Sequence, residues 1–210
     1  MIPTTTLLAF IGASMIVLLT PGPGVLYVVT RGAFQGRTAA VVSAAGLSVG
    51  ALAHVAFAVI GLSALLVASA TAFAIVKYVG AAYLIWIGLQ MILTRSRLTP
   101  GEPPPPQPMR RLFRDGVIIT VFNPKVAIFF LAYLPLFADP AAGAVWNQLL
   151  LLGVIYAVLA FFSDSAYGIL AGTARNWVRS RVLHSRGMQW LSGGIFVGLG
   201  VFTALTSQEK

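Results

Sequence analysis

The chain contains no cysteine, and few of its 210 residues carry a charge. The absence of cysteine excludes disulfides, thiol redox chemistry and cysteine-ligated metal. Charged side chains make up 9% of the residues, whereas a typical soluble domain has roughly 25%. Only five residues are acidic and only two are histidine, which leaves little material for a clustered metal site or for acid–base catalysis. We therefore predict no cofactor and no enzymatic activity.

Hydrophobic residues account for 58% of the chain, and the mean hydropathy is +0.89. The length has room for about six membrane spans of roughly 20–25 residues and for little else. We predict an all-α integral membrane protein with a single domain over residues 1–210. The predicted transmembrane segments, spans 1 to 6, are residues 5–30, 38–65, 71–94, 114–137, 147–173 and 188–206.

The formal net charge of +9 would suit a nucleic-acid partner, but its placement indicates a lipid bilayer instead. Eleven basic residues lie at loops on one side of the predicted spans, and only Lys77 and Lys210 lie on the other. By the positive-inside rule, the basic loops are cytoplasmic and both termini are outside. The eleven are Arg31, Arg37, Arg95, Arg97, Arg110, Arg111, Arg114, Arg175, Arg179, Arg181 and Arg186.

Two proline breaks interrupt predicted spans at matching places, with Pro124 lying 103 residues after Pro21. Interrupted helices are tolerated in membranes only where the freed backbone groups face protein or a water-filled cavity, and paired breaks point to a transport site. Three spans per half would insert the halves in opposite orientations, as a 3+3 inverted repeat with broken helices 1 and 4. The breaks comprise Thr20, Pro21, Gly22, Pro23 and Gly24 in the first half, and Asn123, Pro124 and Lys125 in the second.

A proline-rich segment joins the two predicted halves, which are residues 1–94 and 114–210. Residues 99–108 contain six prolines and one glycine, so this part of the connection cannot be helical. We predict an extended polyproline linker over residues 95–113 in the cytoplasm.

The ionisable residues deep within the spans lie at one predicted depth. Lys125 is eleven residues from Arg114, and Asp164 is eleven residues from Arg175. At the rise of an α-helix these separations are about 15–17 Å, which is near the middle of a hydrocarbon core about 30 Å thick. Pro21 lies at a similar depth. Ionisable groups at this depth are costly and usually functional.

The first break can hold both ends of an amino acid. Backbone N–H groups near Gly22, Gly24 and Val25 begin a new half-helix and can receive a carboxylate. The carbonyl groups freed before Pro21 and Pro124 can accept from an α-ammonium group. The competing interpretation is that the breaks are packing kinks with no ligand.

Three buried ionisable residues each have two interpretations. Lys125 either neutralises the carboxylate of a substrate or forms a structural ion pair with Asp164. Asp164, between two serines in an apolar span, either carries protons or serves as a permanent counter-ion to Lys125. His54 shares a helix face with Gly46 and Gly50, a small-residue pattern typical of close packing. It is either a hydrogen-bonded packing residue or a proton relay.

These segments together resemble the lysine-exporter (LysE/RhtB) family over nearly the whole chain. The matching segments are Thr20 to Pro23 with Arg31, Gly32 and Gly36; residues 77–88; Phe122 to Lys125; and Gly193 to Gly200. The resemblance implies a six-helix bacterial inner-membrane exporter of amino acids or close derivatives, driven by the proton gradient. It leaves the substrate open, and we expect neutral substrates rather than basic ones.

Two other functions are weighed against amino-acid export. An ion channel or cation carrier would also use broken helices, but a lysine beside the break disfavours a bare cation path. A membrane-embedded enzyme would need a nucleophile with a base or clustered metal ligands, and His184 is predicted to lie in a cytoplasmic loop far from His54. The pattern from Gly194 to Gly198 indicates close helix packing, either within one bundle or across a homodimer.

Overall fold

The computed structural model describes residues 2–62 and 106–174 continuously. It also describes isolated helical positions at 75, 78, 79, 82, 85, 86, 89, 93, 194, 197, 198 and 201. Most of predicted spans 3 and 6, most of the linker 95–113, and His184 therefore lie outside the described residues. Every regular element within the described part is helical. The count of six spans and the 3+3 inverted repeat stay predictions.

Span 1 is a bent pair of helices, α1 (Thr4–Leu19) and α2 (Pro23–Gln35), whose axes differ by 59°. The break forms because Pro21 and Pro23 lack an N–H and their rings clash with the preceding turn of a continuous helix. Pro23 takes the first position of α2, where proline is tolerated.

The prediction that span 1 ends near residue 30 is wrong, because α2 continues to Gln35. Arg31 is therefore inside the helix rather than in a loop. It is buried, with its guanidinium carbon 5.5 Å from the centre of the Tyr27 ring, a cation–π contact that favours this placement. The helix ends at Gly36, whose φ of 97° is in the left-handed region that favours glycine.

Two further helices are long and apolar, and each can cross a membrane without a partner segment. Helix α3 (Arg37–Phe57) continues into a π-helical turn, Ala58–Leu62. By length and hydropathy the described spans number two, Arg37–Gly61 and Val145–Thr173, or four when each bent helix pair counts as one.

Span 4 is also broken, into α4 (Met109–Val121) and α5 (Pro124–Ile128), and the bend between α4 and the helical segment Lys125–Phe137 is 51°. After α5 the chain forms a π-helical turn, Phe129–Tyr133, and a 3₁₀ turn, Leu134–Phe137. Helix α4 begins five residues before the predicted start at 114, directly after Pro108. Arg110 and Arg111 consequently lie on the first turn of a helix rather than in a loop. Arg111 is 3.7 Å from the Asp115 carboxylate, one turn later.

A 3₁₀ turn, Pro140–Ala142, leads into the long helix α6 (Val145–Thr173). Gln148 on α6 fixes this connection, because its side-chain amide exchanges two hydrogen bonds with the backbone of Asp139, at 3.0 and 2.8 Å. The C-terminal end of α2 is held in the same way, since the Gln35 amide exchanges two hydrogen bonds with the backbone of Gln107.

Helices α3 and α4 cross at glycines. A Cβ atom on Gly46 would lie 2.2 Å from the Phe113 carbonyl oxygen, and one on Gly116 would lie 2.7 Å from the Ser43 carbonyl oxygen. A Cβ on Gly50 would be 2.7 Å from the Val117 carbonyl oxygen. The predicted packing face of Gly46, Gly50 and His54 is thus the face of α3 that contacts α4.

We expect Gly46→Val to destabilise the protein strongly, because the valine side chain must push α4 away from α3. Overpacking typically costs about 1–3 kcal/mol, and a collision with backbone cannot be relieved by a rotamer change. Gly12→Val is the matched control, since a Cβ there meets no described atom within 4 Å. Thermal unfolding in detergent would contradict the prediction if both variants unfolded at the same temperature.

Helix α6 packs against α2 and α3 through a second glycine contact. A Cβ on Gly32 would lie 2.0 Å from the Gly168 carbonyl oxygen, and one on Gly168 would lie 2.5 Å from the Ala40 Cβ. This close approach brings the middle of α6, which carries Asp164, beside the break between α1 and α2.

Candidate functional site

The two helix breaks meet in space. The ammonium group of Lys125, the second residue of α5, donates a hydrogen bond of 2.5 Å to the carbonyl oxygen of Thr20, the last residue before the first break. The two residues are 105 positions apart in the chain, and both are buried. The Lys125 side chain at the second break therefore occupies a backbone hydrogen-bond acceptor, the Thr20 carbonyl, at the first break.

A small cavity of about 40 Å³ lies at this meeting point. Pockets that enclose small molecules measure roughly 300–1,000 Å³, so the cavity in this conformation is much smaller than a typical binding pocket. The residues that line it are Leu18, Gly22, Gly24, Val25, Leu47, Ala51, Thr120, Asn123, Lys125, Val126, Tyr156, Ala160 and Asp164.

Five residues of the predicted site line the cavity directly, namely Gly22, Gly24, Asn123, Lys125 and Asp164. The other predicted residues shape the breaks around it. Thr20 is the C-cap residue of α1, Pro21 lies in the break, Pro23 begins α2, and Pro124 begins α5. The structure thus gathers residues of both halves at one position.

Opposite charges meet at the cavity. Lys125 on α5 and Asp164 on α6 are each less than a tenth exposed and interact electrostatically. A buried charge is costly unless a partner compensates it. Ser163 and Ser165, the sequence neighbours of Asp164, are buried, and their hydroxyl groups have no hydrogen-bond partner among the described residues. The cavity wall therefore combines one basic and one acidic side chain.

The starts of the two half-helices differ. The Asn123 side chain caps α5, because its oxygen accepts a 3.1 Å hydrogen bond from the Lys125 backbone N–H. Gly22 is the N-cap residue of α2 and has no side chain to do the same. The first-turn N–H groups of α2 are thus not capped by the N-cap side chain, and the glycines Gly22 and Gly24 place this backbone at the cavity wall.

The carbonyl groups that the prolines release have protein donors, contrary to the expectation that a substrate ammonium would use them. In a continuous helix the Leu19 carbonyl would bond the N–H of residue 23, which is proline. Instead it accepts a 2.8 Å hydrogen bond from the Tyr167 hydroxyl. The Val17 carbonyl, four residues before Pro21, accepts from the Thr20 N–H at 3.2 Å.

At the second break the corresponding carbonyl, that of Thr120, accepts from the Asn123 backbone N–H at 3.0 Å and also contacts His54. The Thr120 carbonyl is four residues before Pro124, and it lies 3.0 Å from His54 Nε2. Because a carbonyl oxygen can only accept, Nε2 must carry the proton. The His54 ring stacks on Phe130, with ring centres 6.0 Å apart. This geometry favours the packing interpretation of His54, which lies behind Thr120 rather than on the cavity wall.

Sequence reasoning missed Tyr156, Ala160 and Thr120. Tyr156 and Ala160 precede Asp164 by eight and four residues, so helical periodicity places all three on one face. Thr120 was detectable as the residue four positions before Pro124. Tyr156 packs against Phe129 and Phe130, with ring centres 4.7 and 5.0 Å apart. One side of the cavity is therefore closed by an aromatic cluster.

Comparison with known proteins identifies a family of translocators and several similar membrane proteins. The model of a family described as LysE type translocator matches residues 15–207. A protein of Vibrio cholerae described as an uncharacterized membrane protein is 32% identical, over 94% of this chain and 95% of its own length. No solved structure matches this chain.

Two of the similar proteins have names that state a substrate. The homoserine/homoserine lactone efflux protein of Salmonella typhimurium is 30% identical, over 93% of this chain and 94% of its own length. The leucine efflux protein of an Enterobacter species is 25% identical, over 90% of this chain and 89% of its own length.

Proposed function

Since this chain belongs to the LysE type translocator family, we propose that it exports a neutral amino acid, or a close derivative of one, by exchange with protons. Membership in a family of translocators supports a membrane transporter rather than an enzyme. The names of its relatives, homoserine and leucine efflux proteins, support amino acids as the substrate class and export as the direction. The observation that most directly supports this proposal is that residues of both helix breaks, including Lys125, line one cavity together with Asp164.

The substrate carboxylate binds between the start of α2 and Lys125. The first-turn N–H groups of α2 carry about half a positive charge from the helix dipole, and the Lys125 ammonium adds a full one. A Cβ atom on Gly22 would lie 3.3 Å from Lys125 Cδ, so lysine and this backbone are already in contact range. Lys125 leaves the Thr20 carbonyl to meet the carboxylate, and this movement enlarges the cavity.

The substrate ammonium binds at Asp164, with the vacated Thr20 carbonyl as a second acceptor. One buried cation and one buried anion match the two charges of a zwitterion. A basic side chain would need another acid, and no other acidic residue lines the cavity in the described part of the chain. The remaining wall is formed by apolar groups such as Leu18, Leu47 and Val126. A neutral side chain fits these conditions best.

Protons are exchanged through Asp164 in this mechanism. A carboxyl group that alternates between a substrate ammonium and the outside medium can bind a proton when the ammonium leaves. When the zwitterion leaves and Asp164 binds a proton, the Lys125 ammonium returns to the Thr20 carbonyl, the acceptor that it has in the structure, so neither group is left without a partner. In the competing interpretation, a permanent Lys125–Asp164 ion pair, the proton travels by His54 or on the substrate itself instead of through Asp164.

The proposal is tested by export from proteoliposomes loaded with labelled leucine, homoserine, threonine or lysine, with and without a proton gradient. We expect gradient-dependent export of at least one neutral amino acid, and little export of lysine. Empty liposomes and liposomes with an unrelated membrane protein are the controls. Cation flux that occurs without any amino acid would identify a channel or cation carrier and contradict the proposal.

We expect Lys125→Met to weaken substrate binding roughly 10- to 100-fold, which is the effect of losing a hydrogen bond to a charged group. Methionine keeps much of the volume of the lysine stem but carries no charge. The measurement is the KM for export, with Lys210→Met as the control for loss of one positive charge elsewhere. An unchanged KM would show that the carboxylate binds away from Lys125.

We propose that both termini are outside the cytoplasm and that the proline-rich linker is inside, at the bacterial inner membrane. Single cysteines at Gln208 and Gln107 provide the test, because the natural chain has no cysteine to give background labelling. A membrane-impermeant thiol reagent added to intact cells should label the Gln208→Cys variant and not the Gln107→Cys variant. The reverse pattern would overturn the orientation.

A further inference from the structure

We propose that Tyr167 and His54 are positioning residues, each donating a hydrogen bond from a neighbouring helix to a carbonyl that a proline releases, and so fixing the geometry of a helix break. Neither side chain is among those that line the cavity. Their transport effects rest on the proposed function, whereas their effects on the breaks do not.

The hydrogen bonds of Tyr167 and His54 follow the same pattern. Each donor binds the carbonyl four residues before a proline: Tyr167 at 2.8 Å to Leu19, before Pro23, and His54 at 3.0 Å to Thr120, before Pro124. An unsatisfied carbonyl in an apolar membrane interior is costly, and the Tyr167 hydroxyl satisfies the Leu19 carbonyl. The Thr120 carbonyl also accepts from the Asn123 N–H at 3.0 Å, so His54 adds a second hydrogen bond that links this carbonyl to α3. Because each donor comes from a different helix, α6 for one break and α3 for the other, the breaks are held by the helices that flank the cavity.

The third contact, from Lys125 to Thr20, has a different role. A lysine ammonium on a flexible stem can exchange partners, whereas a tyrosine hydroxyl and a packed imidazole are held by their rings. His54 is buried and stacked on Phe130. The structure therefore assigns the Leu19 and Thr120 carbonyls to the fixed frame of the site. The Thr20 carbonyl alone is assigned to the part that substrate rearranges.

The first break is tested by Tyr167→Phe, which removes only the hydroxyl group. Tyr27→Phe is the matched control, because the Tyr27 hydroxyl donates to the Leu112 carbonyl at a similar distance of 2.9 Å. Leu112 lies within α4, where the residue four positions later is Gly116 and retains its N–H. Tyr27→Phe thus removes the same kind of bond without exposing a proline-released carbonyl.

The readout for the first break is the rate at which N-ethylmaleimide alkylates a single thiol introduced by Leu18→Cys. Leu18 lines the cavity next to Leu19, so loosening of the break exposes it. We expect Tyr167→Phe to raise the alkylation rate about fivefold or more, the effect of one hydrogen bond, and Tyr27→Phe to change it less than twofold. Equal effects of the two variants would overturn the assignment of Tyr167.

The second break is tested by His54→Phe and His54→Gln, with a reporter thiol introduced by Val126→Cys. Phenylalanine keeps a ring against Phe130 but has no donor, whereas the glutamine amide can again donate to the Thr120 carbonyl. We expect faster alkylation for His54→Phe and near-normal alkylation for His54→Gln. Normal alkylation of His54→Phe with fast alkylation of His54→Gln would show that only the ring matters, and equal rates would show that the donor does not hold the break. Either result would overturn the assignment of His54.

Transport gives the second readout of both assignments. Tyr167→Phe and His54→Phe should raise the KM for export by about fivefold or more with a smaller change in kcat, and His54→Gln should restore the KM. A general loss of stability would instead lower the amount of active protein and leave the KM unchanged, which would contradict a positioning role. If the natural protein exports no amino acid, the proposed function fails, while the alkylation results still decide whether the two residues hold the breaks.

Discussion

Replacement of Asp164 by asparagine is expected to abolish proton-driven accumulation of substrate while leaving substrate binding measurable. Asparagine keeps the size of the side chain and can accept a hydrogen bond from an ammonium group, but it cannot bind and release a proton. Accumulation against a gradient should therefore fall to the level of empty liposomes. Substrate exchange between the two sides, which needs no net proton movement, should continue, and it should lose its dependence on pH.

The matched control for this variant is Asp139→Asn. Asp139 is exposed in the connection before α6, where its side chain accepts a 2.8 Å hydrogen bond from the Ala141 N–H. Asparagine can make the same turn contact, so the control removes one carboxylate without disturbing the fold. We expect normal accumulation from Asp139→Asn. If Asp164→Asn also concentrates substrate normally, with an unchanged pH dependence, Asp164 is only a counter-ion to Lys125.

The double variant Lys125→Met/Asp164→Asn shows whether the charges of Lys125 and Asp164 interact with each other or act independently. Removing one member of a buried pair strands the other charge, whereas removing both does not. If Lys125 and Asp164 depend on each other, the double variant should be more stable in detergent than the sum of the two single effects predicts. Simple additivity would show that the two charges act separately.

Replacement of Gly22 by leucine is expected to reduce transport by more than about 100-fold, because the new side chain occupies the place of Lys125. Already a Cβ at this position would lie 3.3 Å from Lys125 Cδ and 3.5 Å from its ammonium nitrogen. A leucine extends further into a cavity of only about 40 Å³. It would also cover the first N–H groups of α2, which bind the carboxylate in the proposed mechanism.

Gly24→Leu should have a comparable effect, since Gly24 lines the same cavity and a Cβ there would lie 3.4 Å from Leu47. Gly12→Leu is the control in the same bent pair, because a Cβ at Gly12 has no described atom within 4 Å. The measurement is export per inserted protein, so that loss of insertion is not mistaken for loss of transport. Normal transport by Gly22→Leu and Gly24→Leu would show that the break is a packing kink and that the site lies elsewhere.

The broken helices were predictable because their cause is local. A proline lacks an N–H and collides with the turn before it, whatever surrounds it, so Pro21, Pro23 and Pro124 dictate breaks wherever a helix would otherwise continue. The helix ends were less predictable. Span 1 extends past residue 30 because the left-handed turn is at Gly36, and α4 starts early because Pro108 allows a helix to begin directly after it.

The sequence by itself determined the apolar composition, the two breaks and the residues whose charge is costly in a membrane, because these properties belong to single residues and their immediate neighbours. Only the tertiary structure decided which side chains donate hydrogen bonds to the released carbonyls. Tyr167 reaches Leu19 across 148 residues, and His54 reaches Thr120 across 66. Those contacts depend on the rotation and crossing of whole helices, which the close glycine contacts of α3 with α4 and of α2 with α6 fix. Helical periodicity identifies the face of a helix that a side chain occupies, but the partner on that face is set by the packing of the neighbouring helix.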